Sequence, residues 1–226
     1  KYALGTIDSY LIARLTGGQS HITDASNASR TQLMALGTCQ WDDELLEVFG
    51  IPKTALPEIT SSWGELAKTS PAHFLGLDAP ITGNAGDQQA ALFGQLAFNE
   101  GESKATYGTG AFILANTAEK VVESTHGLLT TVAWQAPDGK STYALEGSVF
   151  VAGAAVQWLR DGLGIIDKAS AVEALARKTQ GSEGVVFMPS LTGLGAPFWQ
   201  PDIRGSLFGI TRGTTDANIA YATLEA

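Results

Sequence analysis

Residues 83–95 read GNAGDQQAALFGQ: small side chains, one carboxylate, two glutamines, then an apolar run. The segment just before and into it, ITGNAG (81–86), is predicted to be a strand. From 88 to 97 the placement of Ala91, Leu92 and Gln95 on one face predicts a helix. Asp87 therefore stands at a strand-to-helix junction, reached along a backbone almost bare of side chains. Such an approach lets main chain and ligand come close. A carboxylate there can take the proton of a substrate hydroxyl, as in phosphoryl transfer. Asp is also among the best helix N-caps. A cap would hold the carboxylate in a fixed direction, so the two roles coexist.

On the N-terminal side, IDSYLIARLTGG (7–18) predicts a helix over 7–15 that stops at Gly17-Gly18. WDDELLEVF (41–49) predicts a short amphipathic helix with acids in its first turn, where the helix dipole favours them. Gly50 and Pro52 end it, and the Pro- and Ser-rich segments 52–62 and 70–80 read as connections. On the C-terminal side, KATYGTGAFILAN (104–116) predicts a hairpin about Gly108-Thr109-Gly110. LLTTVAW (128–134) and STYALEG (141–147) flank APDGK, a second hairpin with a D-G turn. Helices are predicted over 150–161 and 169–178, and a strand over 185–189. A loop rich in Gly and Pro follows, LTGLGAPFWQPDIRG (191–205); its GLGAPFW part could line a cleft or plug the core, and the core is the expectation. SLFGI (206–210) reads as a strand, and 214–226 as a helix capped by Thr or Asp. Helices and strands that alternate, with hairpins added, indicate an α/β class with a mixed sheet. The polar FNEGES stretch places a domain boundary within 96–104, giving units 1–100 and 101–226. Asp87 then lies near the seam between two lobes, where ligand sites form.

The 226 residues carry 44% hydrophobic side chains and a net charge of −9. That charge argues against nucleic acid, whose phosphates need clustered Lys and Arg. An anionic ligand would instead need backbone N–H groups, a helix N-terminus or a metal. Cys39 is the single cysteine, so intrachain disulfides and multi-thiolate metal sites are excluded and a reducing, cytoplasmic setting is expected. His21, His73 and His126 show no local metal-ligand spacing. No apolar run is long enough to span a bilayer. A first residue Lys1 running at once toward a helix, and a last residue Ala226 inside one, lead to the expectation of an internal fragment of a longer protein.

Two further patterns carry candidate chemistry. In Gly108-Thr109-Gly110 the glycines allow backbone N–H groups to approach phosphate oxygens, and the Thr hydroxyl adds a donor. An ordinary hairpin turn has the same composition. Gly153 and Gln157 in FVAGAAVQWLRD lie four residues apart on one helical face. Gly inside a helix costs about 1 kcal/mol relative to Ala, so something approaches closely there. A nucleotide and a packed neighbour both satisfy that.

Several segments resemble the glycerol-phosphorylating branch of the FGGY carbohydrate kinases: GDQQAALFGQ (86–95), YGTGAFILANT (107–117), GLLTT (127–131), YALEG (143–147) and AAVQWLRD (154–161). GSLFGI (205–210) followed by NIAYATLE (218–225) resembles the family's second signature. TDASNASR (23–30) and WDDELLEVFGIP (41–52) are similar as well. The resemblance spans nearly the whole chain and implies an actin/hexokinase-like (ribonuclease H-like) ATPase fold with parts of two lobes. It implies conversion of glycerol and ATP to sn-glycerol 3-phosphate and ADP with Mg2+. It also implies roles: Asp87 as general base, Gln88 and Phe112 as glycerol contacts, Gly108, Thr109 and Gly110 as a phosphate loop, and Gly153 and Gln157 as nucleotide contacts.

The departures matter equally. The family's first phosphate loop with its magnesium-linked Asp would precede Lys1, as would most of the glycerol pocket, and one nucleotide loop would follow Ala226. The chain as given is therefore expected to be inactive on its own. TSPAHFLGLDAP (69–80) lacks the Gly-rich basic loop through which some relatives bind fructose 1,6-bisphosphate. His73 in AHFLG resembles a histidine that the phosphotransferase protein HPr phosphorylates in other relatives, although Ala72 and Leu75 replace aromatics; a structural histidine is the alternative. Relatives of this kind are often homo-oligomers. Another polyol or sugar as substrate, or a non-catalytic binding module, remain the competing functional readings.

Overall fold

The computed structural model describes residues 2–226, which form two compact units. The first contains the chain up to Lys104, Leu114–Ser124 and Leu129–Glu146; the second contains Ala105–Ile113, Thr125–Leu128 and Gly147–Ala226.

The first unit opens with helix α1 (Ile7–Leu15), β1 (Ile22–Asp24) and the single turn α2 (Ala25–Ala28). β2 (Met34–Ala35) and β3 (Gln40–Trp41) form a small antiparallel ladder before α3 (Asp43–Phe49). Asp42 caps α3 through the amides of Glu44 and Leu45, and Gly50 ends it in the left-handed conformation that glycine adopts without strain. β4 (Glu58–Thr60) pairs in parallel with β1. β5 (Trp63–Lys68) pairs antiparallel with β6 (Pro80–Gly83), which leads toward α4 (Asp87–Gly94). β7 (Ser103–Tyr107), β8 (Ala111–Ala118), β9 (Leu129–Gln135) and β10 (Ser141–Val149) make one sheet in the order β7-β8-β10-β9. The APDGK hairpin closes with Gly139 at φ 86° and Gln135 opposite Ser141.

Two apolar clusters hold this unit. Ala25, Ala28, Met34, Cys39, Val132 and Tyr143 make one; Leu92, Ala97, Leu114, Ala133 and Ala144 make the other. Leu92 and Leu114 are fully buried, each worth about 2 kcal/mol over exposure.

In the second unit, α5 (Gly153–Asp161) and α6 (Val172–Ala176) precede the antiparallel pair β11 (Val186–Met188) and β12 (Ser206–Phe208). The unit ends with α7 (Asp216–Glu225), whose Thr215 and Asn218 form a reciprocal capping box. Leu159, Ile166, Val172, Leu175, Ala217 and Ala220 pack as one cluster; Val151, Ala155, Val185, Phe187 and Ala222 form another.

Boundaries differ from the sequence reading where tertiary contacts intervene. The strand predicted over 81–86 ends at Gly83: the Asn84 backbone N–H makes a last bond to the Ser62 carbonyl at 2.9 Å, and the Gly86 N–H then turns to Ser26 Oγ of α2. The helix predicted over 88–97 ends at Gly94, with Leu96 in the left-handed region and the Ala97 amide on the Leu92 carbonyl. The 150–161 helix begins at Gly153, since the backbone before it docks on the 108–110 turn. The 169–178 helix is a 3-10 turn at Ala169–Ala171 followed by α6. The GLGAPFW segment does not plug the core: Phe198 is 64% exposed. Trp199 lies at its edge, its indole N–H on the Gly127 carbonyl at 2.6 Å and its ring edge-on to Phe150.

Candidate active site

Asp87 is the first residue of α4 and is solvent-exposed. The N-cap is Gly86, and no side chain caps this helix. The expected capping role of Asp87 is thus corrected: its carboxylate lies in the first turn, where the dipole favours it, without bonding the helix amides. What fixes its position is the segment ahead of it. The Asn84 amide donates to Asp8 Oδ2 at 2.8 Å, and the Gly86 N–H donates to Ser26 Oγ at 2.9 Å. A Cβ on Gly86 would lie 2.5 Å from Gln89 Oε1, so a larger residue at 86 would have to displace the buried Gln89 side chain.

These anchors are themselves built in. Asp8 is buried and accepts from the hydroxyls of Thr23 (2.8 Å) and Thr6. Asp24, fully buried, caps α2 through the Ser26 and Asn27 amides and accepts from Ser62 Oγ at 2.6 Å. Buried Gln89 donates to Thr131 Oγ1 at 3.1 Å. Buried polar groups left without partners are costly; here they are joined into a frame for residues 84–87.

Beside Asp87 stands Gln88, whose Nε2 donates to Asp87 Oδ2 at 3.1 Å. Its Oε1 accepts from the Lys104 ammonium. Lys104 is buried in β7, and Glu146 of β10 is buried too. Arg30 meets both Glu146 oxygens at 3.0 Å, a bidentate pair. Burial pushes the Lys104 ammonium below its usual range, while Glu146 and Asp87 pull in the opposite direction. An exposed carboxylate, an oriented amide and a buried cation can together receive a hydroxyl and its proton.

An aromatic cavity of about 440 Å³ borders the same segment through Asn84, Ala85 and Gln89, walled by Trp63, Phe93 and Trp134. Asp87 does not line it. His73 lies elsewhere in this unit, in an exposed turn. Its Nδ1 is 3.1 Å from Ser70 Oγ, and its ring covers Gly17, where a Cβ would come within 2.6 Å.

The second unit brings Gly108, Thr109 and Gly110 onto the start of α5. The Gly153 amide donates to Gly108 O at 2.9 Å, and the amides of Ala152 and Ala154 donate to Thr109 O at 2.9 and 3.0 Å. In a trans peptide the N–H points opposite to the C=O. The N–H groups of Thr109 and Gly110 therefore point away from α5, and the Thr109 side chain is exposed. Two successive amides with a hydroxyl between glycines suit an anion. Gly153 is bare because a Cβ there would meet Gly108 O at 2.6 Å. Gln157 is exposed one turn along α5, and Phe112, half-buried, lies on β8 just past the turn. Among the described residues no three His, Cys, Asp or Glu side chains converge as a metal cage.

Lys104, Glu146 and Arg30 escaped the sequence reading. The available signal was alternation: Glu146 shares the inward register with Ala144 and Ser148, and Lys104 is the buried residue between exposed Ser103 and Ala105.

The profile of the FGGY family of carbohydrate kinases, N-terminal domain, matches residues 2–94, and that of the C-terminal domain matches 103–226. Glycerol kinase of a Geobacillus species is 59% identical over 222 residues, covering 98% of this chain and 45% of that protein. The Thermus thermophilus glycerol kinase is 56% identical over the same shares. Among solved structures, Plasmodium falciparum glycerol kinase with ADP matches at TM-score 0.85 and 44% identity, covering 99% of this chain and 44% of that one. Xylulose kinase from Lactobacillus acidophilus matches at TM-score 0.80 and 27% identity, with 97% and 44% covered. The chain spans about half the length of the curated relatives it matches.

Proposed function

The chain belongs to the FGGY family of carbohydrate kinases, with their actin/hexokinase-like fold, and from that premise we propose that the whole protein phosphorylates glycerol with ATP. The observation that carries this reading is the exposed Asp87 carboxylate, set by a buried polar frame and flanked by Gln88. Glycerol kinases as relatives at 54–59% identity support the substrate.

In this reading Asp87 accepts the proton of the glycerol hydroxyl as its oxygen bonds to the γ-phosphorus. The bond from that phosphorus to the β-γ bridging oxygen breaks, and ADP leaves with the electron pair. Gln88 and Phe112 hold the polyol. Thr109 and Gly110 receive phosphate oxygens on their outward amides, Gly108 shapes the turn that presents them by donating its own N–H to the Gly110 carbonyl, and Gly153 and Gln157 support the nucleotide. Mg2+ would accompany the phosphates and neutralise their charge, an ion of this kind needing few protein carboxylates.

The units 1–100 and 101–226 are assigned to the C-terminal part of the first kinase lobe and the first part of the second. Among the described residues no helix is long and apolar enough to cross a membrane, and we place the protein in the cytoplasm as a homo-oligomer. An HPr-type phosphoryl donor acting on exposed His73 is a further candidate partner. Neighbours such as xylulose and gluconate kinases at TM-score 0.80 keep another polyol or sugar as the second reading. A panel of polyols and sugars with ATP, run on the whole protein and on Asp87→Asn, tests both. Glycerol-selective turnover abolished by the substitution supports the proposal; turnover with another substrate alone overturns it.

A further inference from the structure

Gln88 presents a choice that its surroundings settle. A lysine ammonium can only donate hydrogen bonds, so the Gln88 oxygen must face Lys104. The amide nitrogen must then face Asp87, where Nε2 lies 3.1 Å from Oδ2. The opposite orientation would set N–H against N–H and oxygen against oxygen at both ends. Most amide orientations are assigned from the network alone; this one is imposed by a charge.

The charges also need explaining. Lys104 is 5% exposed and Glu146 2%, and holding a cation away from water is costly. Glu146 is the larger of the two carboxylate influences on Lys104, although Arg30 also meets both Glu146 oxygens at 3.0 Å. The second carboxylate that acts on Lys104 is Asp87. Two cations, Arg30 and Lys104, thus stand with two carboxylates, Glu146 and Asp87, and Gln88 bridges Lys104 to Asp87.

We propose that Lys104 is a positioning residue for the phosphoryl transfer: it locks the Gln88 amide, which holds one oxygen of Asp87 and turns the other toward the substrate hydroxyl. The second N–H of the same amide is then set to meet a neighbouring hydroxyl of the polyol. Lys104 touches neither substrate nor nucleotide in this role. It acts through Gln88. The inference rests on the kinase reading above and adds to it a residue on another element, β7, that sets the geometry of the base.

The test is a double-mutant cycle on the whole protein with glycerol and ATP. Lys104→Met is expected to lower kcat by about a hundredfold, the scale of a misplaced catalytic group, with KM for ATP unchanged. Gln88→Leu lowers kcat as well. In the Gln88→Leu background, Lys104→Met should change kcat by less than about twofold, because coupled residues fail to add. A residue that merely supports the fold would give the full multiplied loss in the double variant, and that result overturns the proposal. So does Lys104→Met at the wild-type rate. Should Lys104→Met not fold, Lys104→Arg replaces it: the cation stays, the planar fork misplaces the amide, and the same non-additivity is expected, with multiplied losses again counting against the proposal. A folded wild type that leaves glycerol unphosphorylated sinks the kinase reading and this inference together; an active wild type with an indifferent Lys104 sinks only the inference.

Discussion

The amide of Gly153 donates to the carbonyl of Gly108 at 2.9 Å, and a methyl group on Gly153 would stand 2.6 Å from that same oxygen. The turn between β7 and β8 and the start of α5 are thus one piece, joined where there is no room for a side chain.

Gly153→Ala sets two effects against each other. Helix propensity favours Ala by about 1 kcal/mol, while forcing the turn off the helix costs about 1–3 kcal/mol, as overpacking does. The contact is with backbone, which cannot swing aside, so the clash should win. Denaturant melts are expected to show a net loss of stability, and KM for ATP to rise in the whole protein. A variant more stable than wild type would show that the turn yields freely.

Asp24→Ala removes the cap of α2 and the acceptor for Ser62 Oγ, all at a fully buried position. Several donors lose their partner at once, so the loss should reach about 3 kcal/mol or more. Equilibrium unfolding measures it. Asp24→Asn keeps one acceptor oxygen and should cost visibly less; equal losses for the two variants would contradict the capping account.

Leu92→Ala opens a hole beneath the first turns of α4, among Leu114, Ala133 and Ala144. Leu92 is fully buried, and a loss of about 2–5 kcal/mol is expected. Because α4 carries Asp87, activity at a fixed temperature should fall with the folded fraction and not beyond it. A large drop in kcat with unchanged stability would mean that Leu92 also sets the site.

Lys104 gives a pH dependence. Burial lowers its folded pKa beneath the value it holds unfolded, with Asp87 of α4, Glu146 of β10 and the Arg30 paired to Glu146 as the charges around it. Between those two pKa values the unfolded chain binds the extra proton, so this group's contribution to stability rises with pH through that window. Its penalty is therefore present at neutral pH and is relieved as the medium turns alkaline. Catalysis should run the other way: once Lys104 is neutral its hold on Gln88 weakens, and kcat falls on the alkaline side. In Lys104→Arg, which keeps its proton, the remaining activity should lose that alkaline limb. A limb at the same pH in both proteins would assign it to another group.

How much of this was legible in the sequence follows from how local each cause is. α1 was read to the residue because its Gly17-Gly18 stop follows directly in the sequence, but the apolar face the spacing indicated is not the packed one: Ile7, Tyr10 and Leu11 are exposed while Asp8, Ser9 and Ile12 are buried. Gly50 and the D-G turn were equally local. Asp87 was placed correctly at the helix start, yet its capping role failed, because Gly86 takes the cap position and distant Asp8 and Ser26 hold the approach. Gly153 raised the right question, and the answer came from a carbonyl far along the chain. Phe198 was expected inside because it is aromatic; the close backbone packing around Gly195 and Gly127 keeps the loop at the surface. Arg30, Lys104 and Glu146 come from three separate segments, and no spacing rule joins them.

The central claim is that Asp87 is the base of a glycerol-phosphorylating enzyme. The most direct measurement is the rate of γ-phosphoryl transfer from ATP to glycerol by the whole protein carrying Asp87→Asn, with glycerol binding measured alongside. The account predicts a loss in kcat of about 10²–10⁴-fold, the range of a lost general base, with glycerol still bound. Transfer by the variant at the wild-type rate would contradict it.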